Sequence, residues 1–130
     1  MFKKIITPRI SETNITRHIG HTVIPVWLEE GYEEIIRLFS QDLAEPSLIT
    51  VNMNMDFLNE IFFGKDVEIL TSVKKVGISS FVLHQEVYQD RKLCVKASTT
   101  LVHFDYSTHK PGPIPKAVRD ILKERESVST

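Results

Sequence analysis

The sequence predicts an α+β domain in which one long apolar helix is wrapped by a curved antiparallel sheet of about five strands and followed by a short terminal helix. Three observations carry this expectation. Between Val23 and Phe39 apolar residues recur every three to four positions, a spacing that only a helix gathers on one side. After Ser47, four stretches rich in Val, Ile, Thr and Phe are separated by turn residues without a second helix between them, which is the pattern of a meander. The chain has 130 residues, 42% of them hydrophobic and 25% charged, which suits a single domain.

Taken in order, Lys3 to Ile10 forms a first strand that Pro8 confines to an edge or a bend, because proline donates nothing to a ladder. Ser11 to His21 is a polar loop carrying His18 and His21. The helix begins near His21 to Val23, with Thr22 as its expected N-cap and Pro25 tolerable in a first turn whose amides lack intrahelical partners. Val23/Ile24, Trp27/Leu28, Gly31/Tyr32, Ile35/Ile36 and Leu38/Phe39 line one side, and Glu29, Glu30, Glu33, Glu34 and Arg37 the other. Its first amides point back into the histidine loop and bring the positive end of the helix dipole there, an environment that stabilises an oxyanion.

Gln41 to Pro46 is a polar connection. Ser47 to Leu58 then alternates strictly, with Ile49, Val51, Met53, Met55 and Phe57 on one face, as a half-buried strand does. Gly64-Lys65-Asp66 turns the chain into Val67 to Val73; Gly77 punctuates the passage to Phe81 to Val87; Asp90-Arg91-Lys92 turns it again into Leu93 to Tyr106. If Asp90-Arg91 is the hairpin centre, facing partners sum to about 181, so His84 and His103 do not meet. After the proline-rich Pro111 to Pro115, Lys116 to Glu124 forms the terminal helix with Val118, Ile121 and Leu122 inward, and Ser127 to Thr130 fray. A curved sheet of this size leaves an edge exposed, which pairing with a second copy would relieve.

With 16 basic and 17 acidic residues, the chain has no net field to attract nucleic acid or an anionic membrane. No run approaches the eighteen or more apolar residues of a membrane span, and the N-terminus falls short of a signal-peptide core. The lone Cys94 excludes an internal disulfide and fits a reducing compartment, so a cytoplasmic location is expected.

Several segments occur together in a known order: Thr13-Asn14-Ile15-Thr16-Arg17-His18-Ile19-Gly20-His21, then Trp27-Leu28-Glu29-Glu30, Val76-Gly77-Ile78-Ser79-Ser80-Phe81, Leu101-Val102-His103-Phe104-Asp105 and Pro113-Ile114-Pro115. Across nearly the whole chain this order resembles the hot-dog-fold acyl-CoA thioesterases, in particular the 4-hydroxybenzoyl-CoA thioesterase family. The resemblance implies a hot-dog fold, a homodimer or homotetramer, and acyl-CoA bound where two subunits meet, without a cofactor. The departures are specific. The family's catalytic carboxylate falls on Asn14, its glycine on Arg17, and its two asparagines on Gly20 and His21. An amide serves neither as general base nor as carboxylate nucleophile.

Thioester hydrolysis needs an oxyanion acceptor, a base and a dry slot for the acyl group. The backbone amide near His21 is the expected acceptor, and Asn14 the group that orients water or carbonyl. His21 is a candidate base because histidine titrates near neutrality. His18 matches the family's Gly-His histidine and is expected to orient the loop. Glu12 and Glu29 are the carboxylates available to replace the missing one. Glu29 lies eight residues after His21, roughly 12 Å along the axis, so it would act on a partner's site. Thr22, Trp27, Ser79 and Ser80 are candidate substrate contacts, with Lys74, Lys75 and Arg91 available to the phosphates of CoA. Trp27 is equally accounted for as core, the serines as turn chemistry and the basic residues as solvated turn charges. His18 and His21 have no third ligand nearby, so no metal is expected. Hydrolysis of acyl-CoA is the leading expectation; a non-catalytic acyl-CoA binding protein on the same fold is the alternative, motivated by Asn14.

Overall fold

In the computed structural model, which describes residues 1–39 and 47–126, the first strand β1 (Phe2–Ile6) stops before Pro8 and lies at one edge of the sheet. Two helices follow, α1 (Ile24–Gly31) and α2 (Glu33–Phe39). Then come β2 (Leu48–Phe57), β3 (Val67–Val76), β4 (Ser80–Gln89), β5 (Lys92–Asp105), the two-residue β6 (Lys110–Pro111) and α3 (Lys116–Glu124). The strand order is β1-β3-β4-β5-β2 with every neighbour antiparallel, and β6 extends the sheet along the end of β5. This is the curved sheet around a helix that the sequence predicts. The expected connection Gln41–Pro46 and the tail Ser127–Thr130 lie outside the described residues.

The β4–β5 hairpin turns on Asp90 and Arg91, both at positive φ (52° and 62°), the paired left-handed geometry that matches strand twist in a two-residue hairpin. Its register begins as expected with Gln89 opposite Lys92, then shifts by one residue at a bulge beside Tyr88. His84 faces Ser98, and His103 faces Leu48.

Four expectations are corrected. The long helix is two, separated at Tyr32, whose φ of −113° and ψ of 20° leave the helical region. Thr22 makes no capping hydrogen bond, because His21–Val23 is a 3-10 turn in which Val23 N and Ile24 N donate to the carbonyls of Gly20 and His21. On α3, Val118 and Leu122 are buried, whereas Ile121, about 100° round the helix from Leu122, faces outward. In β2 the apolar face is only partly covered: Met55 packs on the core, but Val51 and Phe57 are exposed on what is the opposite edge strand of the sheet.

The core has two parts. Ile24, Trp27 and Leu28 of α1 pack with Ile6, Ile69 and Val95; Tyr32 and Ile35 pack with Phe81, Leu101 and α3's Leu122. Between them runs a buried polar belt. Gln85 Nε2 donates to Leu28 O (2.8 Å) and to Thr71 Oγ1 (2.9 Å), whose hydroxyl donates to Gly31 O (3.2 Å). The belt therefore occupies carbonyls that α1 leaves unpaired where it ends, and this stabilises the break at Tyr32.

Candidate active site

The loop before α1 is organised by one side chain. Asn14 Oδ1 accepts from Thr16 N (3.0 Å), His18 N (3.2 Å) and Thr16 Oγ1 (2.7 Å), while Asn14 N donates to His18 O (2.7 Å) and Arg17 N to Asn14 O (3.0 Å). Closing so tight a loop forces Arg17 to φ 67°, a conformation natural to glycine and costing another residue about 1 kcal/mol. This is the position at which the resembling family carries glycine.

The loop is pinned to the segment leaving β2 through Ile19 N, which donates to Ile61 O (2.8 Å), and a bridge between His18 and Phe62. A cleft of about 380 Å³ opens between the two. Asn14, Thr16, His18, His21, Asn59 and Glu60 supply its polar wall, and Ile24, Phe57, Leu58, Ile61 and Val95 most of its apolar wall. His18 lies with Nδ1 3.1 Å from Thr16 Oγ1 and Nε2 3.2 Å from Glu60 Oε2, its ring edge-on to Phe62 at 4.9 Å. His21 is exposed and edge-on to Phe57 at 6.2 Å. The first turn of α1 thus enters the cleft beside two histidines.

Of the expected site residues, the structure brings Asn14, His18 and His21 together; Glu12 and Trp27 it ties to each other instead. The indole Nε1 donates to Glu12 Oε2 (2.8 Å), and the other carboxylate oxygen accepts from Arg9 N (2.7 Å). Trp27 is buried in the core and neither residue lines the cleft. Glu29 is exposed on α1 and Thr22 is exposed at its start. Ser80 faces Val102 and Val87 faces Val95, so the serines lie seven residues along β4 from the cleft wall, roughly 23 Å. Lys74 and Lys75 are exposed at a bulge near that same far end of the sheet, and Arg91 is exposed in the hairpin turn. Glu60 was not among the expected residues. Its only sequence signal is a carboxylate ending the Leu58-Asn59-Glu60 exit from a strand.

Among the described residues no three His, Cys, Asp or Glu side chains group as metal ligands would, and no helix is long and apolar enough to cross a membrane. Cys94 is buried, and burial pushes its thiol up from the ordinary value.

Comparison with known proteins places the chain in a family. Residues 8–122 match the thioesterase-like superfamily, and the chain belongs to it. A predicted thioesterase from Bacillus stearothermophilus is 33% identical, with 99% of this chain and 98% of that one covered and a TM-score of 0.95. A Thermus thermophilus thioesterase solved with coenzyme A and Zn shares the fold at 21% identity, covering 94% and 97% of the two chains with a TM-score of 0.86. A 1,4-dihydroxy-2-naphthoyl-CoA thioesterase from Synechocystis does so at 15% identity, covering 95% and 96% with a TM-score of 0.83. The fold is the hot-dog fold, and the protein is a thioester hydrolase.

Proposed function

We propose that the chain hydrolyses acyl-CoA thioesters to the free acid and CoA in the cleft between the Asn14–His21 loop and the Phe57–Ile61 segment. The observation that carries this is the convergence of Asn14, His18 and His21 on the first turn of α1 in one cleft with an apolar wall. Amides near His21 polarise the thioester carbonyl; removal of such a donor typically costs roughly 10²–10³ in rate. Asn14 has its oxygen committed to the loop, while Nδ2 has no hydrogen bond among the described residues and is the donor left for the carbonyl or the attacking water. Ile24, Leu58 and Val95 suit an apolar acyl group. A thioesterase of this fold solved with CoA supports the choice of thioester.

The exposed edge of β2, with Val51 and Phe57 uncovered and Phe57 lining the cleft, supports a site completed by a second copy. Glu29, Lys74, Lys75, Ser79 and Ser80, remote from the cleft of their own chain, are the residues through which a partner's substrate would be reached. Light scattering at micromolar protein should return two or four times the chain mass; a monomer would overturn this part.

Activity is tested by thiol release from a panel of acyl-CoAs, to which the buried Cys94 adds little signal. Turnover of at least one member is expected. Saturable binding of acyl-CoA without turnover would favour the second reading, an acyl-CoA binding protein, which the amide at position 14 motivates.

A further inference from the structure

Position 14 lacks a carboxylate, but the cleft does not. We propose that Glu60 is the general base of the reaction and His18 the residue that positions it; this rests on the hydrolase reading given above.

The backbone around Glu60 is held on both sides. Leu58 N and Asn59 N donate to Cys94 O (2.8 and 3.2 Å), and Asn59 Nδ2 donates to Leu93 O (2.8 Å). Beyond Glu60, Ile61 O takes the amide of Ile19, and the buried Gln89 grips Phe62 from both ends, accepting from its N (2.9 Å) and donating to its O (2.8 Å). The Glu60 side chain itself is 63% exposed, so its orientation comes from His18 and not from packing.

The hydrogen-bond chain assigns each proton. Asn14 Oδ1 faces two backbone N–H groups, so the amide oxygen and not the nitrogen stands there. The Thr16 hydroxyl, 2.7 Å from that oxygen, must spend its single proton on it. Thr16 Oγ1 therefore accepts from His18, and Nδ1 carries a proton. Across the ring, Nε2 faces Glu60 Oε2 at 3.2 Å, a contact made favourable by a proton on Nε2 donated to the carboxylate. Both ring nitrogens are then occupied, which leaves His18 no lone pair for a water molecule. The unoccupied acceptor at the end of the chain is the second oxygen of Glu60.

The step balances as ordinary hydrolysis. The oxygen of a water molecule bonds to the thioester carbonyl carbon, and the water's proton passes to the Glu60 carboxylate. As the tetrahedral intermediate collapses, the C–S bond breaks and the departing thiolate takes that proton, giving acid and thiol with Glu60 restored. His18, His21 and Glu60 are the titratable side chains that line the cleft, so His21 is the competing base.

The test uses the intact protein and an acyl-CoA that the wild type hydrolyses. Glu60→Gln should lower kcat about 100-fold or more, the scale of a lost general base, with KM changed little. The acid limb of the kcat/KM profile should disappear in Glu60→Gln and return with part of the rate in Glu60→Asp. His18→Asn should lower kcat less while keeping that limb. A Glu60→Gln protein of unchanged thermal midpoint that turns over within about threefold of wild type would overturn the assignment, as would loss of the acid limb in His21→Asn with its retention in Glu60→Gln. A wild type that turns over no member of the panel would overturn the hydrolase reading, and this one with it.

Discussion

Asn14→Ala is expected to lower kcat/KM for acyl-CoA by about 10²–10³ with the fold intact, the scale of a lost oxyanion donor. The substitution removes an acceptor that holds Thr16 and His18 in place, and with it the Nδ2 donor. Asn14→Asp separates the two contributions. The aspartate retains an oxygen for the three loop hydrogen bonds, so the loop stays closed, but a charged acceptor replaces the donor. If Nδ2 meets the thioester carbonyl, the aspartate repels the negative charge that develops there, and its rate at neutral pH should fall as far as that of the alanine variant. A rate at or above wild type, with a new acid limb, would instead show position 14 working as a carboxylate base in the manner of the resembling family. Identical kinetics for both variants and wild type would remove Asn14 from the site.

The largest expected effect on stability is at Gly31. A Cβ there would stand 2.8 Å from Ile69 Cγ2 and 2.9 Å from Gln85 Nε2, both on fully buried side chains. Gly31→Ala must therefore displace a strand residue or pull Gln85 from the carbonyl of Leu28. Overpacking costs about 1–3 kcal/mol and a buried carbonyl left unpaired about 1–3 more, against at most about 1 kcal/mol gained in helix propensity. For a domain of this size the net corresponds to a fall in Tm of roughly 10 °C, measurable by calorimetry. Gly20→Ala is the control. Its Cβ would meet Thr22 Oγ1 at 3.7 Å and Glu12 O at 3.8 Å, ordinary contact distances, and Tm should barely move. Equal shifts in the two variants would contradict the close approach at Gly31.

Much of the fold was legible because period-two alternation and turn residues speak directly of local geometry. Gly64, Gly77 and Asp90-Arg91 marked strand boundaries that the sheet confirms, and α3 begins at Lys116 and ends at Glu124 as expected. What escaped was set by tertiary contact. The break at Tyr32 lies within an unbroken helical period, and its one local sign was an isolated glycine, whose reason is a strand thirty-eight residues further on at Ile69. Val51 and Phe57 alternate like core residues but belong to an edge strand that the rest of the described chain does not cover. In the site, the polar loop and the helix entry stood out because they are contiguous. Glu12 and Trp27 were both singled out, but no spacing rule reveals that their partners are each other. Glu60 reaches His18 only through the pairing of two distant segments, so its contact is invisible along the chain.

The polar belt beneath α1 also acts as a ruler for the sheet. Because side chains alternate between faces, a one-residue slip of β4 would turn Gln85 outward and bring its neighbour His84 or Glu86 under the helix, where Leu28 O now receives an amide. Glu86 offers that carbonyl no proton when ionised and would bring a charge into the core. A slipped pairing that preserves almost every ladder hydrogen bond thus loses this buried contact in addition to turning Phe81, Leu83 and Val87 outward. The glutamine that interrupts the apolar core accordingly adds a polar check to the register that the apolar side chains on the same face already favour.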